Sequence, residues 1–264
     1  MKNSFIMGRY LAGDSVIHRL DPRTKLSVMF LILIFIFFAN NLASYALFGV
    51  FTIGSVLLTG IPLKVFLKGL RPMILLILLT VGLQLFFTRT GEIYWQWRFL
   101  ALTDEGIRNA IFIFLRFVFI IFISTLLTLT TKPLEITDGL EKLLYPFKHF
   151  LPVHEIALML SIALRFVPTL LEETDKIMDA QWARGVDFNT GSLLQRIKAI
   201  IPILVPLFVS AFDRAYDLSI AMEARGFQGG EGRSKYRQLI WHSKDTWAVW
   251  LTVIVCLVVL YLRT

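Results

Sequence analysis

The tripeptide Ala183-Arg184-Gly185 recurs further along the chain as Ala224-Arg225-Gly226. Each copy ends a long, charged pattern of helical period in a chain that is otherwise strongly apolar. Glycine after the last helical residue suits a left-handed helix end, because it has no Cβ to clash. Arginine one position earlier places a planar guanidinium in the last turn, where a cation meets the negative end of the helix dipole.

Two interpretations of the repeated tripeptide follow from the residues alone. In the first, each copy is an ordinary helix stop. In the second, the copies are matched docking tips, whose narrow Ala-Arg ends enter two similar sites on a partner and pair there with carboxylates. A tandem repeat after two charged amphipathic helices favours the second interpretation.

Composition places the chain in a membrane. Of its 264 residues 56% are hydrophobic and 23 are Phe, and the mean hydropathy of +0.68 lies far above that of soluble domains. The single cysteine, Cys256, lies in an apolar run, so neither a disulfide framework nor a cysteine metal cluster is predicted. The four His are scattered and form no HExxH pattern, so no cofactor or metal is predicted.

Apolar runs predict five transmembrane helices, over residues 26–39, 42–59, 72–88, 107–131 and 246–263. The first run needs flanking residues to reach the usual length of about 20. Just before it, Asp21 and Pro22 predict a helix start, with Asp21 as the N-cap. Residues 89–106 contain Tyr94, Trp95 and Trp97, which predicts a polar loop with an interfacial aromatic belt.

The distribution of positive charge predicts the orientation. Residues 1–25 carry five Lys/Arg and residues 60–71 carry three, whereas the Asn40-Asn41 turn carries none. By the positive-inside rule, the N-terminus and the region after Lys132 are cytoplasmic and the C-terminus is outside. The N-terminal segment lacks the apolar core of a cleavable signal peptide.

The region from Lys132 to Lys244 has a different composition, with 14 Lys/Arg and 13 Asp/Glu. Its periodicity predicts helices over 133–149, 154–184 and 193–225. We therefore predict an L-shaped, all-α membrane protein with about five transmembrane helices and a cytoplasmic layer of amphipathic coupling helices. Its parts are an N-terminal segment, a four-helix membrane region, a coupling-helix region and a last transmembrane helix, over residues 1–25, 26–131, 132–244 and 245–264.

Several activities are disfavoured. No Lys is followed by Ser or Thr, so the chain has no P-loop. The predicted spans contain no Asp, Glu or His, which disfavours a proton-driven carrier and an intramembrane enzyme. Orientation explains the net charge, so nucleic-acid binding is not predicted. A self-sufficient carrier or channel stays open on the residues alone.

Arg116 lies within the fourth predicted span, where a charge is costly. It either makes a polar contact with a partner membrane subunit or extends towards the outer interface.

Together these features resemble the transmembrane T component (EcfT) of energy-coupling factor transporters, a branch of the ABC transporters that takes up vitamins and metals. The resemblance rests on the two tripeptides, on the segment Leu20-Asp21-Pro22-Arg23-Thr24-Lys25-Leu26, and on the order of spans, charged helical block and last span. It covers essentially the whole chain.

The resemblance implies a non-catalytic, multi-pass subunit of the plasma membrane that holds two cytoplasmic ATPases and one substrate-binding membrane subunit, the S component. Each tripeptide is then expected to dock in a groove of one ATPase, through Ala183, Arg184 and Gly185 and through Ala224, Arg225 and Gly226. The unlike preceding residues, Trp182 and Glu223, favour a heterodimeric ATPase pair. In this family the S component selects the vitamin or ion, so this sequence does not identify the substrate.

Overall fold

The computed structural model describes residues 10–88, 90–97, 100–186, 188, 192–227, 229 and 238–263. These residues form nine α-helices and one β-hairpin. The elements are α1 (Pro22–Phe35), α2 (Leu42–Thr59), α3 (Leu63–Leu70), α4 (Ile74–Phe87), β1 (Ile93–Trp97), β2 (Leu100–Thr103), α5 (Asp104–Thr130), α6 (Pro133–Leu144), α7 (Val153–Ala183), α8 (Leu193–Ala224) and α9 (Ser243–Leu262). Short 3₁₀ turns follow α1, α3 and α6.

Six helical segments within the described residues are long and apolar enough to cross a membrane: Leu42–Thr59, Leu63–Phe87, Asp104–Thr130, Val153–Ala183, Leu194–Ala224 and Ser243–Leu262. The predicted all-α membrane class is confirmed, with four of the five predicted spans in this set. Helix α1 is not among the six segments, because its 14 residues are too few to cross a bilayer alone. α7 and α8 are additional to the predicted spans, and the cytoplasmic layer to which they were assigned stays a prediction.

Helix α1 begins as the sequence predicts. Pro22 is its first residue, and the Asp21 carboxylate caps it by accepting a hydrogen bond from the Arg23 N–H at 2.8 Å. The Arg23 guanidinium also donates to both oxygens of Asp21, at 3.0 Å each. This hydrogen-bonded pairing, aided by the charges of Asp21 and Asp245, raises the pKa of Arg23 above its usual value.

A buried carboxylate joins the first helix to the last. Asp245, in the first turn of α9, is 1% exposed. Its Oδ1 accepts from the Asp21 N–H and its Oδ2 from the His242 N–H, both at 2.8 Å. Arg23 adds a hydrogen bond to the Leu239 carbonyl at 3.1 Å. The segment that the sequence assigned to capping and flanking charge therefore also holds α9 in place.

Lys25 is buried at the same end of the bundle. Its Nζ donates to the Thr130 carbonyl at 3.0 Å and to the His18 carbonyl at 3.1 Å. Thr130 is the last residue of α5, so the ammonium group satisfies a carbonyl at the negative end of that helix. Burial lowers the pKa of Lys25 to about 8, against the opposing charges of Glu135, Asp245 and Asp21.

The main apolar core joins helices α1, α2, α5 and α9. Its buried side chains come from all four helices and from the turn after α1: Ile32, Ile36, Ala39, Tyr45, Phe48, Phe119, Ile123, Val255 and Val259. A second cluster, of Val56, Phe66, Phe122 and Leu129, packs α2 and α3 against α5. The 27-residue α5 contributes to both clusters and is the central helix of this part of the chain.

Residues 89–106 are not the polar loop that the sequence predicted. Strands β1 and β2 pair antiparallel, and α5 already begins at Asp104. The Thr103 hydroxyl caps α5 by accepting from the Gly106 N–H at 3.1 Å. The aromatic residues of β1 favour extended backbone, which the membrane-belt interpretation overlooked. Tyr94 is exposed, whereas the side chains of Trp95 and Trp97 lie outside the described part, so the aromatic belt stays a prediction.

The chain forms two compact units. One comprises Met1–Leu143 and Leu239–Thr264, and the other comprises Leu144–Gln238. The first contains the core described above. The second contains α7 and α8, which pack against each other and carry the two tripeptides at their C-terminal ends.

Candidate functional site

Helix α7 ends in a Schellman cap. Arg184 is the C-cap residue, and Gly185 follows it with φ +85°. The Gly185 N–H donates to the Trp182 carbonyl at 2.9 Å, and the Val186 N–H donates to the Gln181 carbonyl at 3.1 Å. These two bonds define the Schellman motif, which satisfies carbonyls that the helix end leaves open.

Helix α8 ends in the same way. Arg225 is the C-cap residue, and Gly226 has φ +69°. The Gly226 N–H donates to the Glu223 carbonyl at 2.8 Å, and the Phe227 N–H donates to the Met222 carbonyl at 3.0 Å. The left-handed glycine that the sequence predicts is therefore confirmed at both positions, and the two helix ends have equivalent backbone geometry.

Both tripeptides lie on the exposed surface of the chain. All six of their residues are exposed: Ala183, Arg184, Gly185, Ala224, Arg225 and Gly226. Within the described residues, no ion pair engages either guanidinium. The neighbours differ, since Trp182 beside the first tip is 54% exposed whereas Glu223 beside the second tip is an exposed carboxylate.

Replacing the tip glycines tests the need for a positive φ. No atom within 4 Å would meet an added Cβ at Gly185 or Gly226, so backbone strain alone opposes a side chain. Since a left-handed L-residue costs roughly 1–2 kcal/mol, Gly226→Ala should speed amide exchange in the last turn of α8 by roughly 5- to 30-fold. Gly226→Asn should change it less. Hydrogen exchange read by mass spectrometry measures both.

Gly54→Ala is the matched control for this substitution. Gly54 lies inside α2, where an added Cβ also meets nothing within 4 Å and φ is not positive. Exchange around residue 54 should stay unchanged or slow, because alanine favours the helix. Equal exchange in wild type and Gly226→Ala would contradict the requirement for glycine at the tip.

A side-chain cluster links α7 and α8, which we call the tip helices because they end in the two tripeptides. The Ser210 hydroxyl donates to Oε1 of Glu173 at 2.6 Å, and Nη2 of Arg214 donates to Oε2 of Glu173 at 3.0 Å. The sequence separation of Glu173 from Arg184 equals that of Arg214 from Arg225. It corresponds to about three helical turns, so at a pitch of about 5.4 Å this link lies about 16 Å along each helix from its tip. The helices are thus held together at equivalent points.

A charge swap tests this link. Glu173→Arg places two guanidinium groups together, and Arg214→Glu places two carboxylates together, so each variant should lower the thermal unfolding midpoint by a few degrees. The double variant should recover most of that loss, because the pair is restored in reverse. Glu172→Arg is the control, since Glu172 is exposed and adjacent. A double variant as unstable as the sum of the two single variants would contradict the pairing.

Arg116 contacts its own chain. Its Nη2 donates to the Tyr45 hydroxyl at 2.9 Å and approaches the Ala39 carbonyl at 3.4 Å. The guanidinium carbon lies 5.3 Å from the centroid of the Phe37 ring, within cation–π range. Contact of Arg116 with a partner membrane subunit stays a prediction.

The sequence interpretation missed polar neighbours of Arg116. Arg108 and Asn109 lie on α5 about two turns before Arg116, and all three line one pocket. The signal was present in the sequence, because positions 108, 112 and 116 repeat at a spacing of four and so share a helix face.

Metal-binding groups are not assembled in the described part of the chain. No group of three or more His, Cys, Asp or Glu there is placed to hold a metal ion. Cys256 is buried within α9.

Comparison with known proteins identifies the family. The family model described as cobalt transport protein (CbiQ) matches residues 13–236. A protein of Bacillus subtilis (strain 168), named energy-coupling factor transporter transmembrane protein EcfT, is 55% identical over 264 residues, which is 100% of both chains. The chain belongs to the EcfT family.

Other EcfT proteins are similarly close. The protein of Lactococcus lactis subsp. cremoris (strain MG1363) is 53% identical over 98% of this chain and 97% of its own length. That of Streptococcus thermophilus (strain ATCC BAA-250 / LMG 18311) is 50% identical over 99% of this chain and 100% of its own. The resemblance drawn from the tripeptides is thus confirmed, and this EcfT chain is a multi-pass transmembrane component of an energy-coupling factor transporter.

Proposed function

We propose that this EcfT chain is a non-catalytic coupling scaffold. Arg184 and Arg225 each dock in a separate cytoplasmic ATPase subunit, and α7 and α8 pass the motion of those ATPases to a substrate-binding membrane subunit. The observation that supports this most directly is the pair of helix ends with the same cap geometry, each exposing an arginine.

Two equivalent tips suit a partner with two equivalent sites. A dimeric ATPase related by twofold symmetry presents one copy of the same groove on each subunit. A pseudo-symmetric pair presents two similar grooves. The unlike neighbours Trp182 and Glu223 favour such a pseudo-symmetric pair. A guanidinium is suited to bidentate pairing with a carboxylate in such a groove.

The link through Glu173 supports a mechanical role. When ATP closes the dimer, its two grooves approach each other, and each tip moves with its groove. Because α7 and α8 are held together about 16 Å from both tips, displacement of the tips is carried past the link along both helices. A separate membrane subunit that packs on those helices then moves with them.

Apolar surface on the tip helices supports a membrane partner. Phe208 and Phe212 of α8 are 64% and 66% exposed, and their rings lie 5.4 Å apart between centroids. On α7, Met159 and Leu171 are also exposed. Apolar surface of this extent suits lipid or a membrane-embedded partner. We assign this surface of α7 and α8 to contact with the S component, which selects the vitamin or other micronutrient.

ATP hydrolysis belongs to the partners in this proposal, since the sequence contains no P-loop. The N-terminus and the tips face the cytoplasm and the C-terminus faces outwards, in accord with the positive-inside rule.

Purification of the tagged chain from its native host tests the proposal. Two ATPase subunits and one small membrane protein should co-purify, and mass spectrometry identifies them. In liposomes, the chain alone should show no substrate flux, with or without ATP. A chain that purifies alone and supports flux by itself would replace the scaffold with the alternative, a self-sufficient carrier or channel.

A further inference from the structure

A polar pocket lies between the turn after α1 and helices α4 and α5. Its volume is about 310 Å³, room for roughly ten waters at about 30 Å³ each. The residues that define its chemistry are Asn40, Gln84, Arg108, Asn109, Phe112 and Arg116. We call it the Arg116 pocket. It lies wholly within the unit that contains the main core.

The Arg116 pocket is cationic. Two arginines and three side-chain amides line it, and its lining includes no carboxylate among the described residues. Arg108 and Arg116 are two turns apart on the same face of α5, with Phe112 between them. The two arginine positions therefore lie about 12 Å apart along the helix.

The deeper arginine has unused hydrogen-bonding capacity. Nη2 of Arg116 is engaged by Tyr45 and Ala39, both through neutral oxygens. Its Nε is buried and has no hydrogen-bond partner within the described part of the chain. A buried donor without an acceptor is unfavourable, and a guanidinium within a membrane helix is more so. The Arg116 pocket thus lacks an anionic acceptor.

A phosphate group supplies this anionic acceptor. It carries negative charge and several acceptor oxygens, and its geometry matches the fork of a guanidinium. The amides of Asn40, Gln84 and Asn109 add neutral donors around the same space. The volume also exceeds that needed for a small inorganic ion, so it leaves room for a larger group attached to the phosphate.

The apolar surroundings indicate the rest of that molecule. Phe37, which stacks on the Arg116 guanidinium, is itself 61% exposed. Phe87 at the end of α4 and Ile111 on α5 are also exposed. Both lie close in the sequence to residues that line the pocket. A ligand with a phosphate head and acyl chains satisfies both the cationic pocket and this apolar surface.

We propose that the Arg116 pocket binds the phosphate group of a membrane phospholipid. The lipid acts as a structural ligand that neutralises Arg116 and Arg108 and fills the space between α4, α5 and the turn after α1. This site is independent of the tips and of the proposed coupling function.

Native mass spectrometry of the full-length, delipidated chain in detergent tests the proposal. Phosphatidylglycerol should bind, whereas diacylglycerol with the same acyl chains, which lacks the phosphate, should not. Arg108→Gln and Arg116→Gln should each weaken phosphatidylglycerol binding roughly ten- to hundredfold, because each removes a charged hydrogen-bond donor. Arg263→Gln is the control, since Arg263 is an exposed arginine that stacks on Phe38 and does not line the pocket.

Three outcomes would overturn the proposal. Equal binding of diacylglycerol would remove the phosphate from recognition. Equal weakening by Arg263→Gln would show a general surface attraction. Displacement of phosphatidylglycerol by inorganic phosphate at comparable concentration would assign the Arg116 pocket to a free anion. Because Arg116→Gln also removes contacts to Tyr45 and Ala39, Arg108→Gln is the decisive variant, and its unfolding midpoint should match that of wild type.

Discussion

If the proposed docking is correct, the Arg184→Ala/Arg225→Ala double variant should lose the two ATPase subunits while keeping its membrane fold. Removing one partner of a buried, hydrogen-bonded charge pair costs about 2–5 kcal/mol, partly because the remaining charge is left without a partner. Each single variant should therefore weaken ATPase association by roughly 30-fold or more, and the double variant should abolish it. Co-purification from detergent extracts measures association, and substrate uptake in cells measures coupling.

Two further substitutions show whether geometry or charge governs docking. Arg184→Lys and Arg225→Lys keep the charge but lose the planar fork, so they should restore association only in part. Arg196→Ala is the matched control, because Arg196 is an exposed arginine at the opposite end of α8. Full uptake by the double alanine variant would contradict the docking role and return both tripeptides to ordinary helix stops.

Asp245→Ala should be among the most destabilising single substitutions in the membrane bundle. The backbone N–H groups of Asp21 and His242 both donate to this carboxylate, which is 1% exposed. Each buried donor left without an acceptor costs about 1–3 kcal/mol. We therefore expect a loss of roughly 2–6 kcal/mol in unfolding free energy, seen as a large fall in the unfolding midpoint and in membrane yield.

Two variants separate this effect from a general loss of charge. Asp245→Asn keeps one oxygen as an acceptor, so it should be destabilised less than Asp245→Ala. Asp217→Ala is the control, since Asp217 is an exposed aspartate on α8 and should have little effect. An Asp245→Ala protein with the midpoint of wild type would show that the link to α1 contributes little to stability.

Features decided by a few neighbouring residues were predictable. Asp21 with Pro22 predicted the start of α1, and the glycines after Arg184 and Arg225 predicted both helix ends. In each case the physical cause is local, either a side-chain cap or a φ that only glycine adopts freely. The same residues supported the family resemblance, so the family too was accessible from the sequence.

Features that depend on distant residues were not predictable. Nothing near Glu173 in the sequence indicates that Arg214 is its partner, because helix packing brings them together. Lys25 resembles an ordinary flanking charge until the end of α5 is placed beside it. The hairpin was missed for another reason, since Tyr94 and its neighbours suit both a strand and a membrane interface.

The bond between Asp21 and Asp245 also has a consequence for how the protein is made. Its two residues are 224 positions apart, so at about 5–20 residues per second the ribosome reaches Asp245 roughly 11–45 s after Asp21. During that interval the carboxylate that accepts from the Asp21 N–H has not yet been made. A chain that ends before α9 therefore lacks the acceptor for the Asp21 N–H, so the link between the first and the last helix forms only after the last helix has been made.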